Sequence, residues 1–280
     1  MDVDRVCRLD PLQDDHAYFL GLLATDGHIA ESTRNRGRVS FELSAIDGSI
    51  LRTLAARIPY RAHLSVRQRT TNFARNHISV VLNFHDLQLR HQLRDLGFGP
   101  GRKSSIIAPP RQPYNERGFW RGVLDGDGSL GMTGQNRPFV SLVTASETLR
   151  NAYVDFMHRT VGARPNPQRN QRDRVYNIVV FTETALQIVA ELYSEDMIAI
   201  PRKLEAARFL SQWRRPPGSR RRTFECRRWS EEEDAVVLGG DPLATIAVKL
   251  RRTTCSVNLR RWRLRHRVAR TPQDSRLFQD

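Results

Sequence analysis

The 280-residue sequence is poor in cysteine and contains no long apolar segment. Its three cysteines, Cys7, Cys226 and Cys255, are odd in number and widely spaced, which argues against a disulfide framework and against a zinc site. No stretch of 18 apolar residues is present, so no membrane-spanning helix is expected. The acidic start MDVD lacks the basic region of a secretory signal. These absences predict a cytoplasmic protein with no membrane partner.

Lysine is also scarce, because only Lys103, Lys203 and Lys249 occur among 45 basic residues and the rest are arginine. The arginines nevertheless give a formal net charge of +15 and an isoelectric point near 10.9. Such a basic chain favours a polyanionic partner such as nucleic acid. Its length allows two domains, and a hydrophobic content of 39% is sufficient for packed cores.

Two apolar helical segments, YFLGLLATDGHI at 18–29 and RGFWRGVLDGDGSLG at 117–131, end in the same way. Their matching residues lie 101 positions apart: Gly21 and Gly122, Asp26 and Asp127, Gly27 and Gly128. A repeat of this length indicates a duplicated fold. Glycine inside a helix costs about 1 kcal/mol relative to alanine, so both interior glycines predict close contact between the two helices. Two such helices that end level would bring their aspartates together, and adjacent carboxylates favour a divalent metal.

An aspartate at the end of a helix is unfavourable by itself. The helix dipole is negative there and costs a carboxylate about 0.3–1 kcal/mol unless a cation compensates. Asp127 therefore predicts a positive partner. Taken alone, the Asp-Gly ends are also typical of ordinary helix caps and turns.

These two segments resemble a known motif. FLGLLATDG at 19–27 and WRGVLDGDG at 120–128 resemble the two motif copies of LAGLIDADG homing endonucleases. The second copy has both acids, Asp125 and Asp127, whereas the first has Ala24 instead of the earlier acid and keeps Asp26. The later acid binds metal in that family. The resemblance implies two or more Mg²⁺ ions, replaceable by Mn²⁺, held by Asp26, Asp127 and the main-chain carbonyls of Thr25 and Gly126.

Two of the three lysines occur in equivalent places. GRKS and PRKL put Lys103 and Lys203 100 residues apart, 77 and 76 residues after their respective acids. In an arginine-rich chain, a retained lysine indicates a need for a compact, titratable charge. We expect both lysines to support the attacking water or the charge that develops on the phosphate, as basic residues of this family do near the scissile phosphate. A pair of solvated surface lysines is the alternative.

The segments between acid and lysine are similar in the two halves. Alternation and short apolar runs predict strands within RVSFELSAID at 38–47, HISVVLNF at 77–84, PFVSLVTASE at 138–147 and VYNIVVF at 175–181, and Ile78 and Ile178 keep an offset of 100. Helices follow near 86–96 and 183–193. Each half is predicted as helix, strand pair, helix, strand pair, helix. The expected fold is α+β: two pseudo-symmetric LAGLIDADG lobes, 1–110 and 111–212, with antiparallel saddle sheets and helices on one face.

The strand tips of the saddle are the expected DNA contacts. Arginine suits guanine edges or phosphates, and glutamine or asparagine suits adenine. The candidates are Arg34, Arg36, Arg38, Arg67, Arg69 and Arg75 in the first lobe and Arg164, Gln168, Arg169, Asn170, Arg172 and Arg174 in the second. Solvated loop charges are the alternative for part of this set.

The composition changes after Leu210. Residues 213–228 predict an extended basic linker, 229–268 a small helical domain, and 269–280 a tail. Ser230 is a predicted N-cap, and Asp241-Pro242 starts a second helix. The domain resembles a Myb/SANT-like or helix-turn-helix module, whose last helix would enter the major groove with Arg260, Arg261, Arg263 and Arg265. A protein-binding domain is the alternative.

Together with these features, the resemblance to LAGLIDADG homing endonucleases implies a monomeric, site-specific double-strand DNA endonuclease with internal pseudo-two-fold symmetry and a long, asymmetric target, as in intron homing. One alternative is a transcription regulator that joins a LAGLIDADG-derived fold to a helix-turn-helix, and another is an RNA maturase. Both later acids and both lysines are retained, which favours the nuclease over the regulator.

Overall fold

A computed structural model of the chain describes residues 8–30, 37–70, 76–101, 104–217 and 229–267. The chain forms two compact units, Met1–Pro216 and Pro217–Asp280. Within the described ranges, no helix is long and apolar enough to cross a membrane.

The first lobe contains three helices and four strands in its described part. They are α1 (Asp14–Thr25), β1 (Gly27–Ile29), β2 (Val39–Ser44), α2 (Ser49–Arg57), β3 (Ala62–Arg69), β4 (His77–Phe84) and α3 (Leu87–Asp95). The strands form an antiparallel sheet in the order β1-β2-β4-β3. Helix α1 is apolar around most of its circumference because nearly all of it is buried.

The second lobe repeats this plan with one strand fewer. Its elements are α4 (Glu116–Asp127), β5 (Gly128–Met132), β6 (Pro138–Thr144), α5 (Glu147–Val161), β7 (Tyr176–Phe181), α6 (Thr182–Leu192) and α7 (Pro201–Ser211), with strand order β5-β6-β7. The connection between α5 and β7 forms no strand and makes only an isolated bridge, between Arg169 and Tyr176. The predicted second strand pair is therefore wrong for this lobe. Pro165 and Pro167 lack the N–H groups that a strand in a sheet would donate.

The strand register defines which residues of the two lobes correspond. Phe41 pairs with Leu82, and Leu142, 101 residues after Phe41, pairs with Ile178. Leu82 therefore corresponds to Ile178, an offset of 96. The predicted equivalence of Ile78 and Ile178 is wrong, because the connection that precedes β7 differs in length from the β3–β4 hairpin.

Helices α1 and α4 pack side by side at their interior glycines. A Cβ on Gly21 would overlap the carbonyl oxygen of Phe119 and lie 2.9 Å from Val123 N. A Cβ on Gly122 would likewise overlap the carbonyl oxygen of Tyr18. The predicted close contact is confirmed, and it brings the two helix backbones together without intervening side chains.

The aromatic residues next to these glycines anchor each lobe. Phe19 packs on Phe41 and Phe84, with ring centroids 5.3 and 5.7 Å away. Trp120, 101 residues later, packs 5.0 Å from the Tyr153 ring. Each central helix thus faces its partner helix on one side and its own lobe core on the other.

The C-terminal unit contains the three predicted helices: α8 (Glu231–Leu238), α9 (Leu243–Lys249) and α10 (Thr254–Arg267). They enclose a small core of Val237, Ile246, Ala247 and Val257. Ser230 is the predicted N-cap of α8 and forms a capping box with Glu233.

The start of the predicted linker belongs to the first unit. Trp213 Nε1 donates to the Asn136 carbonyl oxygen at 3.1 Å, and Arg215 Nε donates to Glu183 Oε1 at 2.7 Å. The pKa of Glu183 is lowered to about 2, mainly because Arg215 donates hydrogen bonds to its carboxylate. Residues 213–216 of the predicted linker therefore belong to the first unit, and 218–228 lie outside the described residues.

Replacing either central glycine should destabilise the first unit. In Gly21→Ala or Gly122→Ala, the new methyl group overlaps a main-chain carbonyl, and such overpacking costs about 1–3 kcal/mol, more than the helix propensity gained. Urea denaturation measures the change. Gly134→Ala is the matched control, because no heavy atom lies within 4 Å of its added Cβ. Equal stabilities of the Gly122 and Gly134 variants would contradict the helix contact.

Candidate active site

The two predicted metal-binding aspartates lie at the ends of the paired helices. Asp26 is the C-cap of α1, and Asp127 is the last residue of α4, and both are exposed. A Cβ on Gly126 would lie 3.2 Å from Asp26 Oδ2 and would overlap the Thr25 hydroxyl. The helices therefore end level, and the segments Thr25-Asp26 and Gly126-Asp127 meet at one place.

Asp125 has a different environment from its neighbour Asp127. It is buried and accepts hydrogen bonds from Tyr18 Oη (2.6 Å), Tyr193 Oη (2.8 Å) and Ile200 N (2.6 Å). Burial raises the pKa of Asp125, and the hydrogen bonds that it accepts oppose this rise. Burial next to Asp125 also raises the pKa of both tyrosines well above its usual range. Asp125 thus ties α4 to α1 and to the segment between α6 and α7.

The first motif copy has an apolar cavity at the corresponding place. Ala24 is buried and lines a cavity of about 60 Å³ together with Phe98, Pro100, Ile106 and Ile107. Alignment of the two Arg-Lys pairs places Pro100 opposite Ile200. Proline has no N–H to donate, so the first copy lacks both the carboxylate and a main-chain donor for it. The residues around Ala24 are therefore apolar and suit alanine at the position of the earlier acid.

Lys203 supplies a positive partner for the end of α4. Its side chain is buried, and Nζ donates to the main-chain oxygens of Asp125 (2.7 Å), Gly128 (2.9 Å) and Leu124. Burial lowers the pKa of Lys203 to about 8, although the charge of Asp125 opposes this. An ammonium at these carbonyls compensates the negative end of the helix dipole.

Because Lys203 is buried, the alternative of a solvated surface lysine is wrong for this residue. The ammonium contacts main-chain oxygens in the structure, so its direct effect is to hold the end of α4 that carries Asp127. A role of Lys203 toward phosphate stays a prediction. Lys103 lies outside the described residues.

Arg121 is a further buried cation that the sequence analysis did not identify. Its side chain is fully buried; Nε donates to the Ile198 carbonyl at 2.7 Å, and Nη1 donates to the Leu192 carbonyl at 3.2 Å. Nη2 pairs with Asp14 of α1. Arg121 thus connects both central helices to the segment that leads to Lys203. A charged residue within an apolar helix was the available signal.

The predicted DNA contacts of the first lobe lie partly on its sheet. Arg67 and Arg69 on β3 both pair with Glu42 on β2, at 3.2 and 3.0 Å, and about half of each arginine side chain is exposed. Arg38 is exposed directly before β2. Arg34, Arg36 and Arg75 lie outside the described residues.

The predicted contacts of the second lobe lie on the connection between α5 and β7 instead of on a strand pair. All six are exposed: Arg164, Gln168, Arg169, Asn170, Arg172 and Arg174. Arg169 Nε donates to the Arg174 carbonyl at 2.7 Å, and Arg174 has a φ of 55°. This connection therefore has a turn structure of its own and presents its basic side chains to solvent.

Two of the four predicted base readers in the C-terminal unit have partners within that unit. Arg260 Nε donates to Asp234 Oδ1 at 2.7 Å, and Arg261 Nε donates to the Val237 carbonyl at 2.8 Å, near the end of α8. Both guanidinium groups stabilise the contact between α8 and α10. Arg263 and Arg265 are exposed.

The residues at the helix ends are a plausible donor set for a divalent metal. Among the described residues, no group of three or more His, Cys, Asp or Glu side chains could hold a metal ion. Two carboxylates with main-chain oxygens nevertheless fit Mg²⁺, which commonly binds one or two carboxylates together with phosphate oxygens of a substrate. The three carbonyl groups occupied by Lys203 do not include that of Gly126.

Comparison with solved structures identifies this architecture. The homing endonuclease I-WcaI, bound to its DNA recognition sequence, aligns over 71% of this chain and 88% of its own, with 13% identity and a TM-score of 0.50. The first unit has the LAGLIDADG fold. No family model and no curated protein matches the sequence.

Two other LAGLIDADG structures align less well. I-DmoI in complex with DNA and Mn is 13% identical over 66% of this chain and 98% of its own, with a TM-score of 0.43. The N-terminal LAGLIDADG domain of WhiA is 10% identical over 68% of this chain and 86% of its own, with a TM-score of 0.41. At these identities the likeness concerns the fold alone.

Removing Asp125 should strongly destabilise the LAGLIDADG core. Asp125→Ala leaves three buried donors without their acceptor, and each costs about 1–3 kcal/mol. Tyr193→Phe removes only one donor and should cost about 1 kcal/mol. Urea denaturation gives both values. Asp173→Ala, at an exposed carboxylate of the same lobe, is the control, and an Asp125→Ala variant as stable as this control would show that the buried network is not important.

Proposed function

We propose that the chain is a site-specific DNA endonuclease that hydrolyses both strands of a long, asymmetric target with a divalent metal. The observation that carries this proposal is the pair of exposed carboxylates, Asp26 and Asp127, at the level ends of two helices in main-chain contact. This pair lies between two lobes of a strongly basic chain. I-WcaI, which shares the fold, is a homing endonuclease bound to DNA, and this likeness favours DNA over other polyanions.

The carboxylates would be the protein ligands of the metal. Asp26 and Asp127, with the carbonyl oxygens of Thr25 and Gly126, would hold Mg²⁺ ions, which Mn²⁺ could replace. Bound metal would supply an activated water and neutralise charge at the leaving oxygen. The glycine contacts between α1 and α4 would fix the separation of the two acids.

The basic side chains have two separate tasks in this proposal. Lys203 would keep Asp127 in place by holding the C-terminus of α4. Lys103 would support the attacking water or the charge that develops on the phosphate. The exposed arginines of both lobes would bind phosphates and base edges. Because the lobes differ in strand number and side chains, a single chain would recognise an asymmetric sequence without a second copy.

We infer that the C-terminal unit adds DNA contacts as a helix-turn-helix-like module. Residues 217–280 contain 15 basic and 8 acidic residues, a net charge of +7. Arg263 and Arg265 on α10 remain exposed after Arg260 and Arg261 are engaged within the unit.

Selection from a randomised duplex library tests the activity. The purified chain is incubated with the library and Mg²⁺, and cleaved molecules are sequenced, with an EDTA reaction as the control. A shared target cleaved only with metal supports the endonuclease. Sequence-specific binding without cleavage would instead support a transcription regulator, and splicing of a bound intron RNA would support a maturase.

Asp26→Asn and Asp127→Asn should each reduce cleavage to background while target affinity changes by less than about threefold. The amide removes a charged metal ligand, whereas arginine contacts to phosphate supply most of the affinity. Cleavage and binding are measured on the same duplex. Asp95→Asn, at an exposed carboxylate at the end of α3, is the control. Parallel loss of binding and cleavage, with unchanged unfolding free energy, would argue against a catalytic role.

A chain that ends at Pro216 should cleave its target with metal but bind it more weakly. It keeps both acids, both lysines and the contacts of Trp213 and Arg215. Each lost phosphate contact should flatten the log-log dependence of affinity on salt by about 0.9. Salt titrations and footprints of the full and shortened chains measure this. Identical slopes and footprints would assign the C-terminal unit to a role other than DNA binding.

A further inference from the structure

The two sheets of the first unit differ in the chemistry of the face that points away from the helices. Side chains alternate between the two faces of a strand, and the buried residues identify the inner face. In β6, Val140 and Leu142 are buried in the core, so Phe139, Ser141 and Val143 point outward. Strand pairing then assigns the outward residues of the neighbouring strands.

The outward face of the first sheet is ionisable and polar. Phe41 and Leu82 pair on the buried side, so Ser40 and Glu42 lie on the other side. The ionisable outward residues of the four strands are His28, Glu42, His63, Arg67, Arg69 and His77. Arg67 and Arg69 flank the Glu42 carboxylate on this face.

The outward face of the second sheet is uncharged, and half of its residues are apolar. Its residues on the three described strands are Ser129, Gly131, Phe139, Ser141, Val143, Asn177, Val179 and Phe181, and none of them is ionisable. Phe181 is 48% exposed and Val143 is 40% exposed. The Phe139 ring lies over Gly131, 3.5 Å from the position of a Cβ there. The four apolar members of this face are Phe139, Val143, Val179 and Phe181, and we call them the apolar floor.

Basic and amide side chains border this apolar floor. Phe181 shares an open recess of about 400 Å³ with Thr133, Gly134, Gln135 and Arg137 of the β5–β6 turn. Trp213 fixes this turn through the Asn136 carbonyl. A floor of this kind with a cationic border complements the major groove of a duplex, where phosphates flank the bases.

We propose that the second lobe recognises an A·T-rich half-site by packing Phe181, Val143 and Val179 against thymine methyl groups, whereas the first lobe recognises G·C pairs. The thymine C5 methyl is the apolar group of the major groove, arginine pairs with guanine O6 and N7, and glutamate accepts from cytosine N4. This proposal rests on the DNA-binding function proposed above. It predicts a target with one A·T-rich half and one G·C-rich half.

A second copy of the chain fits the apolar floor less well. Each copy has a net charge of +15, and Arg137 lies beside the floor, so two such faces would repel one another. The floor also belongs to the same compact unit as the first sheet, whose corresponding face carries Arg67 and Arg69. A DNA duplex is therefore the partner that complements both the apolar floor and the basic side chains of this unit.

Uracil substitution provides the test, because uracil lacks the methyl group and keeps the hydrogen bonds of thymine. The probe is the duplex recovered by the library selection, and binding is measured in EDTA so that no cleavage occurs. Replacing a contacted thymine should weaken binding about fourfold per methyl in one half-site, and less than twofold in the other. The variant Phe181→Ser should lose this sensitivity to uracil. Phe209→Ser is the matched control, because Phe209 lies on α7 with 63% exposure, and it should keep the sensitivity.

Each other result would overturn the proposal in a distinguishable way. Specific binding that is insensitive to uracil in both halves would remove methyl recognition and leave the proposed endonuclease intact. Absence of any duplex binding would contradict both the methyl recognition and the proposed endonuclease. If Phe181→Ser changed the sedimentation of the free protein but not its sensitivity to uracil, the apolar floor would be an interface between copies.

Discussion

The main-chain contact between α1 and α4 is the constraint on which the candidate site depends. Gly21 and Gly122 allow each helix backbone to approach the other without a Cβ between them. Because the two motif copies are in register across this contact, both helices end at the same level. A larger residue at either position would separate the helices and therefore also separate Asp26 from Asp127.

The positions of the earlier acid in the two motif copies have different surroundings. In the second lobe, Lys203 binds the terminal carbonyl groups of α4, and Asp125 accepts hydrogen bonds from Tyr193 and Ile200 in the segment before Lys203. In the first lobe, Ala24 and Pro100 line an apolar cavity instead. A duplicated backbone thus supports two sites with equivalent exposed acids but different supporting residues. This difference agrees with the dissimilar outward faces of the sheets and with recognition of an asymmetric partner.

The sequence predicted the features that depend on local patterns and on the repeat. The paired glycines indicated the helix contact, and alternation predicted strand β4 with its observed ends at His77 and Phe84. Features set by long-range packing were not predicted. The hydrogen bond between Tyr18 and Asp125 joins residues 107 positions apart, and no local pattern marks it. The second lobe lacks one predicted strand because Pro165 and Pro167 have no N–H to donate, and this local property overrides the repeat.

The net charge of the chain overstates the number of arginines that can contact a partner. Arg121 is enclosed between the central helices, Arg215 fastens the end of the first unit to α6, and Arg260 and Arg261 join two helices of the C-terminal unit. These guanidinium groups contribute to the charge of +15, but their hydrogen bonds are directed within the protein. An arginine can serve either role, because its planar group makes several directed hydrogen bonds while its charge persists. The residues available to a polyanion are therefore the exposed arginines of the sheet face, the connections and α10. In the proposed endonuclease, their distribution, rather than the total charge, would determine which DNA sequence is bound.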